Sequence, residues 1–149
     1  MTAQEAVTQS LLYINAEASS FAPAIELNAV NSGINKICVR RVRAKDAEFI
    51  FPVAVVNGQS QPADFMGFAG TNPIEIRDLG TDRKWYYTGS VQPTVKYFRN
   101  RPNVTALTDE VQLPYRWQEA LVLWIAIRLN ETRGYNMDKD RADFEDMTA

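Results

Sequence analysis

The sequence predicts an α+β fold: a helical bundle of two N-terminal helices and one long C-terminal helix, with an inserted antiparallel β-meander and a flexible C-terminal tail. Three observations predict it. Apolar residues recur at helical spacing over residues 3–39 and again over 114–131. Between them, from about residue 48 to 99, short runs of β-branched and aromatic residues alternate with turn-forming clusters. The 149 residues, 46% apolar and 23% charged, suffice for one compact core and are too few for two comfortable ones. A single domain is expected over residues 1–134, carrying the β insert, with a tail over 135–149.

The first helix opens at Thr2-Ala3-Gln4-Glu5, a capping-box pattern in which hydroxyl and carboxylate satisfy each other's backbone donors. It is expected over about 3–18, with Val7, Leu11, Leu12, Ile14 and Ala18 on its apolar face. Ser19-Ser20-Phe21-Ala22-Pro23 breaks the pattern. A second helix over about 24–39 then places Leu27, Val30, Ile34 and Ile37 together, although Gly33 in its interior costs about 1 kcal/mol relative to alanine.

Residues 48–56 read as an edge or interrupted strand, because Pro52 lacks the amide that a central strand would use. Asn57-Gly58 has the chemistry of a tight hairpin turn. Further strands are expected at 74–77, 84–88 and 94–98, whereas Gly67-Phe68-Ala69-Gly70 reads as a loop. Trp85 and Tyr87 share one strand face with Tyr86 opposite, which favours cross-strand packing over an exposed platform on which nucleic-acid bases stack. The last helix begins at Pro114, tolerated in a first turn. Trp117, Leu121, Trp124, Ile125 and Leu129 form the face assigned to the core, and Val122 and Ile127, on other faces, are assigned to a subunit interface.

Composition removes much chemistry. The chain has no histidine, and its single Cys38 forms neither an internal disulfide nor a thiolate cluster, so most hydrolase and zinc readings fail. No catalytic residue, cofactor or metal is expected. The pair Asp138 and Asp140 has the spacing of a calcium loop, but the loop's glycine and terminal glutamate are missing. Residues 1–10 carry no basic segment and no long apolar run, so no secretory signal is expected, and no stretch suits a membrane span. Sixteen Lys and Arg against 18 Asp and Glu give a net charge of -2, which leaves any nucleic-acid contact to local clusters. The densest is Arg40, Arg41, Arg43 and Lys45, readable as a DNA-facing patch or as a solvated helix end; Arg99 and Arg101 are candidate additions.

Taken in order, two helices and a strand-rich insert lead to Tyr97-Phe98-Arg99-Asn100-Arg101-Pro102. Thr108-Asp109-Glu110-Val111-Gln112 follows, then Leu113-Pro114-Tyr115-Arg116-Trp117 opening a helix that runs through Arg128-Leu129-Asn130. This order resembles the head-to-tail adaptor (connector) proteins in the neck of tailed bacteriophages. The resemblance implies a structural virion protein, present in the host cytoplasm during assembly. It implies a homo-oligomeric ring, a dodecamer, beneath the portal protein, joined to a tail-side neck, tail terminator or tail tube protein, with double-stranded DNA passing through its channel. It also implies that the C-terminal segment docks on the portal, with Tyr135, Met137, Arg141, Phe144 and Met147 as the contacting residues. The alternative from the residues alone is a nucleic-acid-binding module using the arginine cluster and the sheet aromatics.

Overall fold

The computed structural model describes residues 1–17 and 20–149. Over these described residues the fold is α+β, with four α-helices and six strands, all paired antiparallel. The chain divides into two compact units, Met1–Ala44 with Arg101–Ala149, and Lys45–Asn100. This corrects the expected single domain over 1–134: the insert has its own core, and residues 135–149 belong to the helical unit.

In the helical unit, α1 (Ala3–Tyr13) has the expected capping box, Glu5 N–H donating to Thr2 Oγ1 at 3.1 Å and Thr2 N–H to Glu5 Oε2 at 2.8 Å. Two further donors of its first turn bind the segment before the last helices, Ala3 N to Asp109 O at 2.9 Å and Gln4 N to Leu107 O at 2.8 Å. The helix ends five residues earlier than the periodicity suggests. Asn15 takes a left-handed φ of 54°, and Ala16 N–H reaches back to Leu11 O at 2.9 Å, a Schellman closure that no continuing helix can make. Leu12 is consequently 74% exposed instead of in the core, and Ala18, expected on the same face, lies outside the described residues.

Helix α2 (Pro23–Arg43) runs four residues beyond its expected end and buries Val30, Ile34 and Ile37, while Leu27 is half-buried. A short 3-10 turn (Tyr115–Trp117) precedes α3 (Gln118–Thr132), so Pro114 caps that turn and does not enter the α-helix. From Ala120 to Leu129 only Val122 and Arg128 escape burial. The sides of α3 are covered by α1, α2 and α4 (Asp138–Met147). Gly33 is the closest approach to α2: a Cβ there would lie 2.5 Å from Leu121 Cδ1 and 3.0 Å from Trp124 Cδ1. The glycine that weakens α2 locally is thus what lets α3 dock, and Trp124 Nε1 donates to Ser32 Oγ at 3.1 Å beside it.

The second unit holds two three-stranded sheets. One has the order β1 (Ile50–Ala54), β6 (Thr94–Arg99), β3 (Phe65–Phe68); the other has β2 (Gln59–Ser60), β5 (Arg83–Tyr87), β4 (Ile74–Asp78). Only β4 and β5 are both consecutive and paired, so the expected meander is replaced by non-local pairing. Pro52 sits in an edge strand, as expected. The Asn57-Gly58 turn exists but joins no hairpin. Gly58 has φ 81° and Asn57 a negative φ, a type II turn whose twist does not match paired strands, and the chain leaves β1 for the other sheet.

The core of this unit is Val55, Trp85, Val95 and Tyr97, with Phe65, Phe68, Ile74 and Tyr87 packed against it. Phe65 and Phe68 are three apart and in a regular strand would face opposite ways. A bulge between Phe65 and Gly67, where φ reaches 145°, adds the residue that turns both rings toward Trp85, their centroids each 5.2 Å from it. Gly67 and Phe68 are therefore strand, correcting the expected loop.

Two outcomes test this packing. Gly33→Ala is expected to destabilise the chain by about 1–3 kcal/mol despite alanine's better helix propensity, because Leu121 is fully buried and Trp124, also buried, is tied to Ser32 by its indole N–H. Urea unfolding at constant slope measures it. In the second unit, burial and the bond that Tyr97 donates to Asp64 Oδ1 at 3.0 Å push its phenol from 10.0 up to about 12. Folding favours the protonated phenol, so its contribution is complete below pH 10 and is lost as pH climbs toward 12. The loss is roughly 2–3 kcal/mol in stability curves across that window, and Tyr97→Phe should remove this dependence.

Candidate functional site

The expected basic patch is largely occupied by the chain itself. Arg40 forms an ion pair with Glu145, donates from Nε to Thr148 Oγ1 at 2.6 Å and from Nη2 to the Glu145 carbonyl at 2.8 Å. Arg41 donates from Nη1 to the carbonyls of Thr148, at 3.2 Å, and Ala149, at 2.5 Å, and its guanidinium stacks 4.4 Å from the centre of the Trp117 ring. Both cations thus sit on the last turn of α4, where free carbonyls and the negative end of the helix dipole favour them. Arg43 is exposed, and Lys45 begins the second unit with a left-handed φ of 57°. Arg99 lies over the Phe51 ring at 4.2 Å, and Arg101 N–H donates to Cys38 Sγ at 3.4 Å.

The residues expected to form a portal-docking tail are divided. Phe144 is fully buried with its ring 4.8 Å from Trp124, and Met137, 6% exposed, accepts from Asn130 Nδ2 at 3.1 Å. Arg141 makes a two-pronged pair with Glu131, at 2.6 and 2.8 Å, and lies over Trp124 at 5.3 Å. These three serve the helical unit, and the tail is corrected to a docked helix: Phe144 supplies an apolar anchor and the arginines fix both ends. Tyr135, 55% exposed, and Met147, 39% exposed, remain outward. Asp138 and Asp140 lie in the first turn of α4, where acids complement the dipole, and Asp140 accepts from Tyr13 Oη at 2.9 Å, the bond that chiefly raises the Tyr13 phenol. Among the described residues no group of three or more potential ligands is placed to hold a metal ion.

The two interface residues also separate. Ile127 is fully buried in the single chain, which corrects its assignment, and α1, α2 and α4 all pack on the helix that carries it. Val122 is half-buried and lines an open groove of about 600 Å³ between α1 and the start of α3. Glu5 and Gln9, one turn apart on α1, form one wall together with Met1, and Tyr115, Glu119 and Val122 form the other. Tyr115 is 89% exposed there, the most exposed aromatic side chain on this surface. The groove was not expected from the sequence; its only trace is the four-residue spacing along α1, whose polar residues look like an ordinary solvated face.

The remaining chemistry is structural. The sheet aromatics expected in a core are there: Trp85 is fully buried, Tyr97 is 3% exposed, and Tyr86 on the opposite face is covered by Arg77 at 4.1 Å. Burial pushes the Cys38 thiol up, away from the nucleophilic thiolate. Ser60 Oγ accepts from Lys84 Nζ at 3.0 Å, which resembles a nucleophile and base, but the ammonium also pairs with Asp82 at 2.9 Å. The hydrogen bond from Lys84 is the chief reason that the Asp82 carboxyl is held below its usual range. Asp109 is likewise lowered, by hydrogen bonds from Ala106 N–H and Thr105, in closing the turn that receives α1.

Comparison of the chain with protein-family models and with curated proteins finds no match. No helix among the described residues is long and apolar enough to cross a membrane.

Phe144→Ala is expected to cost about 3–5 kcal/mol in equilibrium unfolding of the full chain, the usual range for emptying a buried aromatic site. Arg40→Ala, which cuts a partly exposed pair and two hydrogen bonds, should cost about 1–2 kcal/mol and lose much of that difference in high salt.

Proposed function

We propose that the protein is a structural assembly component: a head-to-tail adaptor of a tailed phage, forming a ring under the portal and acting by contact, with no chemical step. The observation that carries this reading is the open groove on the helical unit, where Tyr115 stands exposed and Val122 half-buried among polar side chains beside α1. Aromatic residues of this kind anchor interfaces when a partner excludes water around them. Element order adds to it: two helices, a β-rich insert, and a long helix opened by Leu113-Pro114 are what the sequence shares with adaptor proteins.

On this reading the groove receives a neighbouring copy in a head-to-tail contact, and closure by rotation gives the ring. Contact with the portal falls to what the C-terminal region leaves outward, Tyr135 and Met147, since Met137, Arg141 and Phe144 are taken up internally. A nucleic-acid-binding module is the weaker reading, because Arg40 and Arg41 are bonded to α4 and the sheet aromatics are in a core.

Mass measurement of the full chain, alone and mixed with a purified portal ring, tests the proposal. A closed oligomer of defined stoichiometry on the portal is expected. Val122→Asp should keep the circular dichroism spectrum and lose that oligomer, because the carboxylate would be buried without a partner. A chain that stays monomeric with the portal, or a ring indifferent to Val122→Asp, would overturn it.

A further inference from the structure

The Asn57-Gly58 pair combines a reactive sequence with an unusual restraint. Asn57 is exposed, and glycine after asparagine leaves the following amide nitrogen sterically free to attack the side chain. In that reaction Gly58 N loses its proton to water and bonds to Asn57 Cγ, and the carboxamide nitrogen departs as ammonia. The product is a five-membered cyclic imide. Water then opens the ring at either carbonyl, leaving an aspartate or an isoaspartate at position 57. No oxidant or enzyme is consumed, and one negative charge is gained.

Both reacting groups are tied to the same strand. Gly58 N–H donates to Trp85 O at 2.8 Å, so the nucleophilic nitrogen is directed at β5. Asn57 Oδ1 accepts from Tyr87 N–H at 2.7 Å, so the electrophilic carboxamide is held on β5 two residues further on. The turn is also closed twice across its mouth, by Gln59 N to Val56 O at 3.0 Å and by Val56 N to Gln59 Oε1 at 2.8 Å. A type II turn sets ψ at its second residue near about +120°, which swings the next nitrogen away from the side chain it would have to reach. Cyclisation therefore requires all of these bonds to open together.

We propose that Asn57 is a deamidation site gated by the docking of the 56–59 turn on β5, so that modification there records opening of the β2–β5 edge. The gate works one way. An isoaspartate lengthens the backbone by one carbon, and the lengthened turn cannot restore the Trp85 and Tyr87 bonds together, which leaves the edge beside the Trp85 core loosened.

The test is peptide mapping by mass spectrometry of the full chain held in mildly alkaline buffer, scoring aspartate and isoaspartate at position 57. The native chain should convert at least about tenfold more slowly than the urea-unfolded chain, a difference equivalent to roughly 1.4 kcal/mol of local opening. In the unfolded chain Asn57 should convert ahead of Asn15, Asn100 and Asn136, none of which precedes glycine. Gln59→Ala, with its fold checked by circular dichroism, should raise the native rate several-fold. Equal native and unfolded rates would overturn the gate whatever the variant does. A folded Gln59→Ala chain that converts no faster than the parent would overturn the role of the turn.

Discussion

The run Ala120 to Ile127 has no polar side chain, and a helix apolar on every side must be wrapped. That constraint organises the helical unit. α2 can come close because Gly33 has no Cβ to meet Leu121 and Trp124. α1 presents mostly small buried side chains, Ala3, Ala6, Val7 and Ser10, with Leu11 below them. α4 supplies Phe144 against the Trp124 ring. Each fully buried Leu or Ile contributes about 1.5–3 kcal/mol, so a helix with this many has no stable exposed alternative. Polar contacts then set register: Ser32 receives the Trp124 indole, and Asn31 brackets Val104 with two 2.9 Å bonds.

The β unit solves a different problem. It is short of residues for a core and uses one large side chain, Trp85, as the centre, with Phe65, Phe68 and Tyr97 rings within 6.1 Å of it. The bulge at Gly67 is the device that makes this arrangement possible. Non-local pairing around β6 and β5 leaves the connecting segments outside the sheets. Val56, 61% exposed, and Val91, 80% exposed, lie in two of them.

What was legible in the sequence was local. The Thr2–Glu5 capping box, the edge position of Pro52 and the inward face of Trp85 and Tyr87 depend on neighbours within a few residues. What escaped is either a local break in the periodicity or a contact with a distant partner. The end of α1 is set by the left-handed Asn15, after which Ala16 N–H returns to Leu11 O, and β3 is hidden because its bulge breaks the two-residue period by which strands are read. The C-terminal helix has one fully buried anchor, Phe144, among charges, so it reads as a tail. Its arginine partners are more than 100 residues away, Arg40 on Glu145 and Thr148 and Arg41 on the Thr148 carbonyl. The same distance explains the site. Arg40 and Arg41 look like free cations only until α4 is placed on them, and the groove at Tyr115 is created by the juxtaposition of α1 with a segment more than 100 residues later.

If α3 is wrapped by its own chain, the helical unit is complete before any assembly, and oligomer contacts add to its outer faces only. Native-state hydrogen exchange of the isolated monomer tests this most directly. The amides of Leu121 to Leu129 are expected to exchange only through global unfolding, as slowly as any in the helical unit, and assembly is expected to add protection chiefly around Tyr115 and the exposed side of α1. Rapid exchange along α3 in the monomer, with protection gained only on oligomerisation, would contradict it and make the neighbouring subunit part of the core.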